Sequence, residues 1–337
     1  MGATDPPPVT DRMSAPKRPL VGVTRRLPEP VEAALRERFE VRGPDTQRAL
    51  DSGELLALLK ECDALLPTVT DRLDAAVIGA AGPRCRLFAN FGVGVNHIDL
   101  AAATNAGIIV TNTPDVLTDD TADLAMALML ATLRRLGEGE RAVRAGRWDG
   151  WHPTQFLGRR LTGKTLGIVG LGRIGRAVAK RAEGGFGMKV LAWSRSKRRG
   201  SEAGTRIERV SKLDQLLEAS DIVSIHCPLV PTTRHLIGRP QFARMKADAV
   251  LINTARGPVV DEAALVEALE TEMIAGAGLD VYEDEPRVHP GLVGRENVVL
   301  LPHLGSATQE GRVAMGLRAL DNLVAHFAGQ EPPDKVN

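Results

Sequence analysis

Gly170, Gly172 and Gly175 stand as GLGRIG directly after the apolar run TLGIV and directly before RAVAKRAEG, a helix-favouring segment. In that context the glycines have separate tasks. One permits a tight turn, the next lets backbone approach a pyrophosphate, and the third allows a helix to lie close on a strand. N–H groups at the helix start, those of Arg173 and Ile174 included, would donate to the anion. The spacing points to a bound dinucleotide. An NAD site would place Asp or Glu at the end of the next strand, KVLAWS, to hold the ribose 2′-hydroxyl. This chain has Ser194, Arg195, Ser196, Lys197, Arg198 and Arg199 there. Two hydroxyls and four cations without an acid suit a 2′-phosphate, because the planar fork of arginine donates two hydrogen bonds to it. NADP is therefore the expected cofactor, with NAD accepted less well; a merely solvated basic loop is the plain alternative.

A motif of this kind works only at the carboxyl end of a parallel sheet, and the chain supplies the rhythm for two such sheets. From Leu20 the runs LVGVT, ALLPT, RLFANFG and IIVTN alternate with helical segments such as PVEAALRERF and SGELLALLKE. Such alternation implies βα units and an α/β fold. The stretch DDTADLAMALMLATLRRLGEGERAVRAG then reads as one long helix between domains, with its aspartates and Thr121 as caps at the start and arginines late. A second series, TLGIVG, KVLAWS, DIVSIHC, AVLINTA, IAGAGLD and VVLLP, predicts six strands with crossovers. A final amphipathic helix, SATQEGRVAMGLRALDNLVAHFAG, and a polar tail from Gln330 follow.

At 337 residues the chain exceeds what one core usually sustains, so two doubly wound parallel-sheet domains are expected. The 43 basic and 42 acidic side chains leave a formal charge of +1, which gives no global field for nucleic acid or an anionic membrane. Any anion site must be local. Cys62, Cys85 and Cys227 are scattered without CxxC or metal-type spacing, so neither a disulfide framework nor a metal site is suggested, and a reducing cytoplasm fits. The first 18 residues, rich in proline and small polar side chains and lacking an apolar core, read as a disordered extension in which Met13 could start translation.

NTARG (253–257), GLDVYEDEP (278–286) and LPHLGSAT (301–308) resemble the signature segments of the D-isomer-specific 2-hydroxyacid dehydrogenases, over essentially the whole chain from about Leu20. Within that family FGVGVNHIDL, TNTPDVLTDDTADLAMALML and GRWDGWHP are similar to glyoxylate and hydroxypyruvate reductases. The resemblance implies a Rossmann cofactor domain, 114–303, inserted into a flavodoxin-like substrate domain made of 19–113 plus 304–337. It also implies hydride transfer between NADPH and a small 2-oxo or 2-hydroxy acid, yielding the D-isomer. Reduction of such an acid needs a cation for the carboxylate, a proton donor for the carbonyl oxygen and a nicotinamide over the carbon. Arg256, following a β-run, would hold the carboxylate and polarise the carbonyl. His303, after VVLLP, would donate the proton. Glu285 would accept the other imidazole N–H and favour the protonated ring.

The same resemblance assigns the substrate carboxylate to backbone N–H groups of Val93 and Gly94, with side walls from 66–70. It places Asp280 at the nicotinamide end, Cys227 and Pro228 on the adenosine side, and Thr254, Ala255 and Gly305 along the cofactor. Phosphite dehydrogenases carry a lysine in the loop where this chain has Val93, which argues against phosphite. Trp148 and Trp151 both fall in GRWDGWHP, and Trp151 would reach across a homodimer interface into the partner's substrate pocket or simply anchor an interdomain arm. Alternatives are a bulkier 2-hydroxy acid, or a dinucleotide-sensing corepressor that keeps the three residues without turnover.

Overall fold

The computed structural model describes residues 18–195 and 206–337. The extension before residue 18, with Met13, lies outside the described residues, as do Ser196 and the cations at 197–199. Arg18, counted with that extension, is held: its guanidinium donates to the carbonyls of Arg36 and Arg38.

Two α/β units result, each with a wholly parallel sheet. One unit runs up to Thr113 and takes in Gly316–Asn337; the other is Pro114–Met315. In the first, β1 (Leu20–Val23), β2 (Glu40–Arg42), β3 (Ala64–Leu66), β4 (Leu87–Ala89) and β5 (Ile109–Thr111) take the order β2-β1-β3-β4-β5. This is the flavodoxin-like order. Strands β3 and β4 are buried along their whole length, as a sheet covered by helices on both faces requires. The helices Ser52–Glu61, Ala75–Ala80 and Leu100–Asn105 begin on Asp51, Asp74 and Asp99, whose carboxylates accept N–H groups of the first turn.

In the second unit β6 (Thr165–Val169), β7 (Lys189–Trp193), β8 (Ile207–Arg209), β9 (Ile222–Ile225), β10 (Val250–Asn253), β11 (Gly276–Leu279) and β12 (Val298–Leu300) order as β12-β11-β10-β9-β6-β7-β8. From β6 the chain winds one way through β7 and β8 and then the other way from β9, so the switch point lies between β6 and β9. Ligands of doubly wound sheets bind outside the carboxyl ends at such a point.

The structure departs from expectation in four places. It has two further strands, β2 and β8, each three residues long at a sheet edge and too charged to show as an apolar run. The single long helix is two, Thr118–Leu133 and Leu136–Arg144, because Leu133 gives its carbonyl to the Arg159 N–H and Arg135 turns left-handed at φ 54°. Its expected caps face tertiary partners instead. Thr121 donates to the Gly305 carbonyl, Asp120 accepts from Thr308, and Asp119 and Asp123 pair with Arg181.

The last difference concerns the end of the chain. Residues 304–315, expected in the substrate domain, belong to the second unit, tied there by Asp120 and Thr121. The final helix, Gln309–Phe327, continues into the first unit from Gly316, where a Cβ would lie 2.4 Å from Val31. The polar tail is also held: Asp334 is buried against Arg318 and Asn322, and Asn337 accepts from the Val110 N–H.

Candidate active site

Three neighbouring strands of the second unit deliver the side chains. At the end of β10, Asn253 folds the next residues into a turn: its Oδ1 accepts from the Ala255 N–H at 3.0 Å and its Nδ2 donates to the Arg256 carbonyl at 3.0 Å. The turn holds Arg256, whose guanidinium donates to the Ala255 carbonyl. Burial lowers the Arg256 pKa below its ordinary value, and the negative charge of Glu285 acts against that. At Gly257 any Cβ would lie 1.8 Å from the Tyr282 carbonyl carbon, so only glycine lets this loop press on the one after β11.

After β11, Asp280 continues the ladder by donating its N–H to the Asn253 carbonyl. Its carboxylate is fully buried and accepts from the N–H groups of Leu304 and Gly305, at 2.6 and 2.8 Å. Burial pushes this carboxyl upward, while those two hydrogen bonds and the nearby His303 oppose it. Asp280, expected at the nicotinamide end, therefore shapes the loop that carries His303.

Glu285 receives the Tyr282 N–H on Oε1 and His303 Nδ1 on Oε2, the latter at 2.8 Å. Burial alone would raise its carboxyl, but the hydrogen bond and charge of His303, helped by Tyr282 and Arg256, leave it below the ordinary carboxylate range. An ionised Glu285 can only accept, so Nδ1 of His303 carries the proton and Nε2 is the atom left for exchange with a substrate. His303 sits in the left-handed region at φ 56°, its own N–H bound to the Asp280 carbonyl at 2.9 Å. Both members of the pair keep about 30% of their side chains exposed, 30% and 29% respectively.

The glycine segment is built for an anion. Gly170 has φ +102°, and a Cβ there would lie 2.6 Å from the Cys227 nitrogen; a Cβ on Gly175 would lie 2.3 Å from the Gly170 carbonyl oxygen. Around Gly172 no atom of the described residues lies within 4 Å of that position, so the middle glycine leaves an open cradle at the start of the helix Arg173–Phe186. Ile174 is half-buried against the core, and Arg173 pairs with Asp115. Beyond β7, Ser194 is half-buried and Arg195 exposed. Arg195 lies near enough to favour the Cys227 thiolate, although burial pushes that thiol up to about 11. Pro228 is exposed, its carbonyl accepting from Thr233. Thr254 Oγ1 is buried with no partner among the described residues, so a group of a bound molecule would satisfy it. Cradle and orphaned hydroxyl fit a dinucleotide lying along the carboxyl ends of this sheet.

In the first unit the loop after β4 is held from behind. Asn90 Nδ2 donates to the carbonyls of Gly92 and Gly94, and Asn112 Nδ2 to that of Val93. The N–H groups of Val93 and Gly94 have no acceptor among the described residues. In the neighbouring 66–70 segment, Thr68 and Thr70 are bonded by the buried Arg25. Trp151 is 81% exposed and Trp148 is exposed too.

Arg312 escaped the sequence reading. Half-buried in the first turns of the final helix, it has its pKa lowered by burial and supported by the charge of Asp280. An arginine on an otherwise apolar helix face, nine residues beyond His303, is the signal that could have marked it.

A family model described as "D-isomer specific 2-hydroxyacid dehydrogenase, NAD binding domain" matches residues 126–305. The glyoxylate reductase of Thermococcus litoralis is 47% identical over 324 residues, 95% of this chain and 97% of that one. A solved structure from Thermus thermophilus superposes with a TM-score of 0.87 at 45% identity, covering 94% of this chain and all of that one. An NADPH-dependent glyoxylate/hydroxypyruvate reductase from Sinorhizobium meliloti, solved with NADP and malonate, gives 0.84 at 37% identity over 95% and 97% of the two chains. With the two sheets and the residues at their carboxyl ends, these likenesses establish that the chain belongs to the D-isomer-specific 2-hydroxyacid dehydrogenases.

Proposed function

We propose that the enzyme reduces a small 2-oxo acid, glyoxylate or hydroxypyruvate, to the D-2-hydroxy acid with NADPH. The observation that carries the reading is the 2.8 Å contact of His303 Nδ1 with the ionised Glu285, in the loops that follow β12 and β11, next in the sheet to β10, whose own following turn holds Arg256. Gly170, Gly172, Gly175, Thr254 and Arg195 would hold the cofactor, which when bound supplies the hydride. Arg256 would fix the substrate carboxylate and draw electron density from the carbonyl. The N–H groups of Val93 and Gly94, with no acceptor among the described residues, would offer two donors to a carboxylate. His303 would pass the Nε2 proton to the carbonyl oxygen, and Glu285 would stabilise the imidazolium from the Nδ1 side. The S. meliloti reductase, described as NADPH-dependent, supports the choice of NADPH.

A homodimer belongs to this proposal. Leu136, Val143, Trp148, Trp151 and Leu157, all exposed and within one short stretch of the second unit, support it as a surface for a second copy.

The test follows NADPH and NADH absorbance against glyoxylate, hydroxypyruvate, pyruvate and phenylpyruvate, with wild type and His303→Asn. Turnover of the first two, lost by at least roughly a hundredfold in the variant while NADPH still quenches tryptophan fluorescence, is expected. No turnover of any acid, or an active His303→Asn enzyme, overturns the proposal.

A further inference from the structure

The five-stranded sheet carries a charged recess at the end opposite Val93 and Gly94. A cavity of about 420 Å³ opens where its strands begin. Arg18 and Pro19 precede β1, Asp63 precedes β3, and Arg84 and Arg86 precede β4; His326 and Phe327, from the last turn of the helix Gln309–Phe327, complete the wall. Parallel pairing aligns these entry points, since Asp63 donates its N–H to the Leu20 carbonyl and Arg86 donates to that of Asp63.

Three guanidinium groups meet one carboxylate here, and that carboxylate is already engaged. Asp63 Oδ2 accepts from the Leu20 N–H at 2.8 Å, and Oδ1 pairs with Arg84 Nε at 3.1 Å. Arg86 donates one N–H to the Ala106 carbonyl, and Arg18 donates two to the carbonyls that end the helix Glu29–Arg38. A guanidinium has five N–H donors, so even Arg18, with five less two, keeps three for a ligand. Each guanidinium thus has a structural bond and N–H donors to spare.

We propose that this recess binds a small phosphate dianion, a phosphate monoester in its natural form. The excess of cations over carboxylate, three to one, matches the charge of such a group, and planar forks on different strands suit its tetrahedral oxygens. Carboxylate ligands would meet the same cations but would satisfy fewer donors per group. Phe327 and Pro19 give an apolar wall for the organic part of an ester. Burial lowers the pKa of His326, so its ring offers a neutral N–H and an acceptor without added charge. The site lies outside the reaction chemistry and would serve an effector.

Isothermal titration of the full chain, with NADP saturating so that the glycine cradle is filled, would use inorganic phosphate and, separately, malonate. Saturable phosphate binding is expected, weakened about tenfold or more by Arg86→Gln and by Arg84→Gln, the size of a lost charged hydrogen bond. Arg195→Ser should leave it unchanged. Arg84 is exposed and, among the described residues, paired with Asp63 alone, so its variant keeps the test open if Arg86→Gln fails to fold by circular dichroism. Absent phosphate binding, binding indifferent to both variants, loss on Arg195→Ser alone, or tighter malonate than phosphate at the Arg84-sensitive site would each overturn the proposal.

Discussion

Asp280 and Gly305 are joined by a 2.8 Å hydrogen bond between a fully buried carboxylate and a backbone N–H, and the other carboxylate oxygen takes the Leu304 N–H. His303, immediately before them, is thus fixed from its own main chain. Asp280→Asn replaces one acceptor with an amide NH₂ and leaves one of two buried donors facing another donor. A cost of about 1–3 kcal/mol in stability is expected, with kcat lowered and NADPH affinity little changed. Thermal unfolding and fluorescence titration of the variant would read both.

Glu285 contributes to stability in a way that depends on pH. Its carboxyl is held below its unfolded value, so the stabilisation is complete above roughly pH 4.3 and lost as pH falls through the folded value. In Glu285→Gln that dependence disappears. Below about pH 4 the melting temperature of wild type should fall more steeply than that of the variant, whose kcat near neutrality should drop on the order of a hundredfold. Parallel melting curves across the acid range would remove the assignment.

Arg195 is the described cation beyond β7 closest in role to a 2′-phosphate ligand, and its charge already reaches Cys227. Arg195→Asp should lower kcat/KM for NADPH by about ten- to a hundredfold, the size of a lost charged hydrogen bond, and leave NADH unchanged or improved. Steady-state kinetics with both cofactors decide this; equal losses would point to a structural role.

Gly175→Ala would put a methyl group 2.3 Å from the Gly170 carbonyl oxygen, where only backbone can yield. The helix Arg173–Phe186 must then move away from β6, at about 1–3 kcal/mol for overpacking. Cofactor affinity should weaken with stability, because the same movement shifts the helix start from the cradle. Calorimetric unfolding and NADPH titration would show the two losses together.

Much of this was legible in the residues because steric necessity leaves marks. Gly170 and Gly175 are glycines since the backbone of Cys227 and Gly170 itself occupies the space a Cβ would need. Arg256, Glu285 and His303 stand in separate short segments, and parallel β10, β11 and β12 bring those segments to one edge. What pattern could not reveal is choice of partner. Asp119, Asp120 and Thr121 have the composition of a helix cap, yet Arg181, Thr308 and Gly305 claim them. Asp280 looks equally suited to a ligand or to buried N–H groups, and Arg312 looks like any helix arginine until the fold lays it near that carboxylate.

Strands β2 and β8 have a consequence for how the molecule behaves among its own copies. Each forms an outer margin of its sheet, is three residues long, and carries charge in Glu40 and Arg42 or Glu208 and Arg209. An open strand margin invites intermolecular pairing and aggregation, and brevity with charge discourages it. At the other margin of the first sheet the terminal residues close β5, with Val336 donating to the Val110 carbonyl. The features that hid these two strands from an apolar pattern are the ones that keep the sheets from growing into their neighbours.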